Sequence, residues 1–214
     1  MLNKLAMGDL LISIAVLFGP SIIYKFILTD AIIWTFFIVL QILIFTHPKS
    51  KLQNTNTKKA DQKSLIIINI AAYIIILPIY ILYIQRRSHS NHQEIMPIQY
   101  IGLIIALFGV LFRWYAIRYL GQWFTSEVVI QENQTIIKTG PYKLIRHPSY
   151  TGAILFWAST PLIFNIIYGF LWAIPILIGA YAWRIYVEEG QLSKNLKGYK
   201  DYIKKTKRLF PYLF

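Results

Sequence analysis

Long apolar stretches separated by polar, basic segments set the pattern of this chain. Six of them read as membrane spans: Asp9 to Leu28, Ala31 to Thr46, Ser64 to Ile84, Ile98 to Ile117, Tyr150 to Phe164 and Tyr168 to Val187. A bilayer core takes about 20 apolar residues per helix, so the second and fifth are short. Only Asn165, Ile166 and Ile167 separate the last two, which leaves room for nothing but a tight helical hairpin. Pro161 and Pro175 are positioned to kink or break those two helices. The first apolar run reads as a retained span rather than a signal peptide, because Asp9 and Lys25 lie in or beside it and no small-residue cleavage site follows.

Between the spans, residues 47–63 are polar, basic and turn-rich, and form a loop. The segment from Leu120 to Ser149 differs. It carries Trp123, Phe124, Val128, Val129, Ile130, Ile136 and Ile137 among Gln, Thr and Glu, more apolar residues than a solvated linker needs. The expected fold is therefore all-α: a polytopic integral membrane helical bundle of about five to six transmembrane helices. Residues 1–119 form the N-terminal helices, and residues 120–214 form a C-terminal region with a helical hairpin and a tail. No internal repeat or low-complexity tract is present.

Composition agrees with the membrane and charge adds an orientation. Of the 214 residues 56% are hydrophobic and only 14% charged, where soluble proteins carry about 25%. There are 22 Lys and Arg against 9 Asp and Glu, a formal charge of +13. With the N-terminus inside, all of the basic residues except Lys25, Arg86 and Arg87 fall on the cytoplasmic side, as the positive-inside rule requires. This places a multi-pass protein in the cell membrane with both termini cytoplasmic, and it accounts for the charge without nucleic acid.

The absence of cysteine excludes disulfides, thiolate metal sites and thiol nucleophiles. Four histidines, at 47, 89, 92 and 147, without HExxH spacing, give no metal site. No Walker loop or GxGxxG fingerprint occurs either. Two clusters remain. Thr139 to Gly152 reads TGPYKLIRHPSYTG; Gly140-Pro141 makes a turn, and Pro148 suits the first turn of a helix, which places His147 at that helix's N-terminus. The run also fits an interfacial loop, with Tyr142 and Tyr150 as belt aromatics and Arg146 on lipid phosphate. The second cluster, Trp183 to Leu192, puts Arg184, Glu188 and Gln191 on one helix face, with Glu189 about 100° away. It fits either a functional site at a span's edge or a snorkelling Arg with an i,i+4 ion pair. Two adjacent acids in a chain with only 9 weigh toward the former.

Taken together, the G-P-Y-x(3)-R-H-P-S-Y-x-G block (Gly140 to Gly152) and the R-x(3)-E-E-x-x-L block (Arg184 to Leu192) resemble the isoprenylcysteine carboxyl methyltransferase family. Tyr199, Tyr202 and a Lys-rich tail to Pro211 follow in the same order, and Gln131 to Thr139 resembles the family's approach to the turn. The resemblance covers roughly residues 120–211. It implies S-adenosyl-L-methionine as methyl donor, in a cytoplasm-facing cofactor pocket formed by the C-terminal half. The family's donor-binding positions fall on Gln131, Gln134, Thr135, Ile136, Ile137, Tyr142, His147, Pro148, Ser149, Tyr150 and Glu188. Arg184 matches a position that orients the acceptor, and Glu189 or His147 is a candidate base if the nucleophile is a hydroxyl. The implied acceptor is a lipophilic small molecule or a prenylated substrate, reached within membrane lipid, with carboxyl or hydroxyl O-methylation favoured over phospholipid N-methylation because an Arg serves an amine poorly. An NADPH-dependent, steroid-reductase-like enzyme and a non-enzymatic membrane protein are the rival readings.

Overall fold

The computed structural model describes residues 4–45, 63–89, 95–125 and 134–211, and among them regular structure is almost entirely helical. The helices are α1 (Lys4–Phe18), α2 (Ala31–Phe45), α3 (Lys63–Ser88), α4 (Pro97–Leu120), α5 (Pro148–Ala158), α6 (Thr160–Ile163), α7 (Phe170–Asn195) and α8 (Tyr199–Lys205). Three segments are long and apolar enough to cross a membrane: Ser64–Ser88, Pro97–Trp123 and Ile167–Asn195. Shorter apolar helices accompany them at Met7–Ile22 and Ala31–Phe45. The polytopic helical architecture expected from the sequence is the one found.

The chain departs from six simple spans in two places. The first apolar run is not one helix: α1 stops at Phe18, and Gly19–Ile22 and Lys25–Leu28 continue as 3-10 turns. Pro20 supplies no backbone N–H and its ring obstructs the preceding turn. Asp30 then restarts the chain, its Oδ1 accepting from the N–H groups of Ile32 at 2.9 Å and Ile33 at 3.3 Å. Its Oδ2 accepts from Tyr83 Oη at 2.7 Å and Arg87 Nε at 3.2 Å, so the cap also ties α2 to the end of α3. The fifth run likewise breaks, at Ser159, into α5 and the single turn α6 that carries Pro161. Pro175, by contrast, is accommodated within the unbroken 26 residues of α7.

Glycine sets how closely α4 approaches the hairpin. Gly102 and Gly109, two turns apart on one face, meet α6 and α5: a Cβ on Gly109 would lie 2.6 Å from the Gly152 carbonyl oxygen and 2.9 Å from Phe156 N, and one on Gly102 would lie 2.6 Å from Ile163 N. With lipid outside as apolar as any side chain, helices gain by bringing backbones together through small residues. The buried Gln99 fixes the top of this contact, donating from Nε2 to the Ile163 carbonyl at 2.9 Å. An aromatic cluster closes the other side: Phe36 of α2 stacks on Phe156 of α5 at 5.7 Å, and Phe164 meets Phe36, Tyr80 and Tyr83 edge-on at 5.1, 5.8 and 5.1 Å.

Because backbone, not a flexible side chain, faces Gly109, Gly109→Ala is expected to destabilise the protein by about 1–3 kcal/mol, the range for overpacking. Gly179→Ala meets open space and is the control; thermal unfolding in detergent compares the two.

Candidate active site

Two segments far apart in sequence are folded onto one another at the end of the α4–α5–α7 bundle. Gly140 turns the chain with φ +56°, beneath the ring of Tyr119, whose Cε2 would stand 2.6 Å from a Cβ there. The following 3-10 turn, Gly140–Lys143, buries Tyr142. Pro148 begins α5, as its position after His147 predicts. The tail runs back beside this block: Arg146 N donates to the Lys207 carbonyl at 2.8 Å, His147 N to the Arg208 carbonyl at 3.0 Å, and Lys207 N to the Leu144 carbonyl at 3.2 Å. Thr151 Oγ1 adds a bond to the Leu209 carbonyl at 2.7 Å.

Glu189 anchors this clasp. It is 7% exposed, and its Oε1 accepts from Arg146 Nε at 2.7 Å and faces His147 Nε2 at 3.2 Å, while Oε2 accepts from Arg208 Nε at 3.1 Å. Arg146 also donates from Nη1 to the carbonyls of Ile203, at 3.2 Å, and Thr206. A carboxylate this buried is tolerable only when its lone pairs are met by charged donors.

Glu188, one residue earlier, faces an open-mouthed cavity of about 90 Å³. Its Oε2 accepts from Tyr150 Oη at 2.6 Å and lies 3.6 Å from His147 Nδ1. The same Tyr150 hydroxyl accepts from Arg184 Nε at 2.9 Å, and Arg184 Nη1 donates to Ser64 Oγ at 2.5 Å. One phenol thus joins the guanidinium to the carboxylate. His147 stacks on Tyr150 with ring centroids 5.3 Å apart and planes 3° from parallel.

Of the residues singled out from sequence, Gln134, Thr135, Ile136 and Ile137 form one wall of the cavity. Tyr142, His147, Ser149 and Tyr150 form a second, and Arg184 with Glu188 a third. Pro148 is buried in the first turn of α5, starting the helix rather than lining the space. Glu189 is likewise not on the wall but behind it, and Gln131 lies outside the described residues. His147 presents its two nitrogens to Glu189 and Glu188. A further anion there would meet two carboxylates.

Several participants carried no sequence signal of this kind. Leu196 lines the cavity, Ser64 reaches Arg184 from α3, and Arg208 reaches Glu189 from the tail. The buried Arg113 of α4, which donates from Nη1 to the Ser149 carbonyl at 3.0 Å, was legible as an ionisable residue inside a span. Tyr199 and Tyr202 of α8 complete the wall, with Tyr202 Oη donating to the Tyr142 carbonyl at 2.6 Å. Burial, then the nearby Glu188 charge, pushes the phenols of Tyr142 and Tyr199 well above the usual range. Burial pushes Tyr202 up to about 12. At neutral pH all three therefore stay protonated hydrogen-bond donors.

Fold and site together define a polytopic helical membrane protein with a polar pocket at one end of its bundle. Residues 101–194 match the isoprenylcysteine carboxyl methyltransferase (ICMT) family. A solved structure of the eukaryotic intramembrane Ras methyltransferase ICMT superposes with a TM-score of 0.55 at 18% identity, covering 98% of this chain and 74% of its own. No curated protein matches the chain.

Removing the anchor should open the clasp. Glu189→Ala leaves Arg146 buried without its carboxylate and is expected to destabilise by about 3–5 kcal/mol. Arg208→Gln, at the 42% exposed end of the network, should remove less than about 1 kcal/mol. Thermal unfolding of both variants in detergent measures the difference.

Proposed function

We propose that this chain is an integral membrane methyltransferase that uses S-adenosyl-L-methionine to O-methylate a carboxyl group, or alternatively a hydroxyl, of a lipophilic acceptor. The pocket would face the cytoplasm, with both termini on that side of the cell membrane, as the distribution of Lys and Arg supports. The observation that carries this reading is convergence: Gln134 to Ile137, Tyr142, Ser149, Tyr150, Arg184 and Glu188, drawn from separate motifs, share one cavity.

The residues present suit the donor's chemistry. Glu188 is the acidic side chain on the cavity wall and is partly accessible, at 26% of its side chain, so it can take an ammonium or ribose hydroxyls. Tyr142 and Tyr150 offer ring faces to a sulfonium. Ile136 and Ile137 offer an apolar edge and backbone groups to adenine. When bound, S-adenosyl-L-methionine supplies an electrophilic methyl group. The protein's part is alignment and exclusion of water from the nucleophile.

Arg184 is 3% exposed, and its guanidinium is held by Tyr150 and Ser64 in a fixed orientation, suited to pairing with an acceptor carboxylate. A carboxylate nucleophile needs no general base. Glu189, sealed against Arg146, Arg208 and His147, acts in this reading as a positioning residue rather than as a base. His147 holds the two carboxylates apart and in place. Tyr150 passes the position of Glu188 to Arg184.

Glu188→Ala is expected to abolish donor binding without loss of fold, read by calorimetry with S-adenosylhomocysteine; unchanged affinity would refute its role. Arg184→Ala should spare donor affinity and raise the acceptor KM at least tenfold. Tyr150→Phe, which keeps the ring stack and removes the hydroxyl, should weaken both by several-fold. Incubating membranes with labelled S-adenosyl-L-methionine and identifying the labelled lipid by mass tests the activity itself; selective binding of NADPH instead would overturn it.

A further inference from the structure

The donor-site wall contributed by α8 has an outer face whose chemistry the methyl-transfer reading does not use. Lys194, Lys197, Lys200, Lys204, Lys205 and Lys207 are all exposed, within fourteen residues. Among the described residues from 134 onward, Asp201 is the exposed acid, and it is spent on Lys204 at 3.2 Å. Exposed apolar residues border this basic face: Leu144 at 54% and Phe210 at 38% beside the Lys207–Leu144 bond, and Trp183 at 50% and Tyr186 at 72% along α7. A surface facing only water gains nothing from that border. Lysines ranked next to exposed aromatics and aliphatics match the boundary between hydrocarbon and headgroups.

We infer that the lysine face of α8 and the end of α7 is a docking surface for anionic phospholipid headgroups of the cytoplasmic leaflet, and that lipid seated there steadies the α8 wall of the pocket. The inference rests on the cytoplasmic orientation proposed above. Its structural link is short. Tyr199 and Tyr202 point from α8 into the cavity wall while Lys200, Lys204 and Lys205 point out. Gly198, with φ +83°, is the turn that lays α8 off the end of α7. The helix has only seven residues, too few to be stable alone, so it is held by its contacts. Each lysine near an anionic surface strengthens attraction about fivefold.

The test uses the full chain in nanodiscs of equal phosphatidylcholine and phosphatidylglycerol, followed by native mass spectrometry of the released protein. Selective retention of phosphatidylglycerol is expected, reduced at least fivefold in the Lys194→Gln, Lys197→Gln, Lys200→Gln, Lys205→Gln variant with unchanged circular dichroism. Calorimetry with S-adenosylhomocysteine should give several-fold tighter binding in phosphatidylglycerol-containing discs than in neutral ones, a difference the variant loses. Equal retention of the two lipids, or equal retention by the variant, overturns the inference, as does donor affinity that ignores lipid charge. Selective lipid retention with no donor binding in either bilayer would instead overturn the methyltransferase reading and leave the docking surface standing.

Discussion

Glu189 carries a charge at a depth where a bare carboxylate could not stay, and the site is built around meeting that charge. Arg146 approaches from the loop before α5, His147 from the cap of the same helix, and Arg208 from the tail. Arg146 and His147 are consecutive and Arg208 lies 61 residues further on, so satisfying one side chain of α7 ties two other stretches of backbone to it. The tail can then exchange backbone hydrogen bonds with residues 144–147, and α8 lies where its tyrosines complete the pocket. Such an ion cluster adds little net stability over an apolar equivalent, but it admits few alternative arrangements.

The neighbouring carboxylate shows the complementary use of charge. Glu188 is one residue, and therefore about a third of a turn, from Glu189, and this rotation carries it from the clasp to the cavity. Its partners there are a phenol and an imidazole edge rather than a guanidinium. That leaves it with acceptor capacity toward the cavity. An enclosed acid and a cavity-facing acid are thus placed back to back, with His147 between them holding both.

Close backbone packing makes this arrangement rigid enough to serve as a site. Gly109 and Gly152 let α4 and α5 touch through their main chains, and Arg113 crosses that contact to reach the Ser149 carbonyl. The first turn of α5, which carries Ser149 and Tyr150, is therefore set by α4. The N-terminal helices reach the site itself through Ser64, which touches Arg184 from the start of α3.

Much of this was legible in one dimension. Blocks of apolar residues are a local property, and lipid imposes a helix on each because only a helix satisfies all of its backbone within a single segment; the long spans follow directly. Pro148 after His147, and the turn at Gly140-Pro141, are equally local. Less legible was where the first apolar run breaks, because a run that is apolar throughout does not mark how Pro20 will be accommodated, while Pro175 in a similar run leaves its helix whole. The sequence by itself determined that the chain is a helical membrane protein, and picked out the two motifs that the fold brings to one cavity. Only the tertiary structure decided that Glu188 faces the cavity and Glu189 the clasp, since both sit in the same helix with the same chemistry. The deciding partners, Arg146, Tyr150 and Arg208, lie 43, 38 and 19 residues away, a separation that no local pattern encodes.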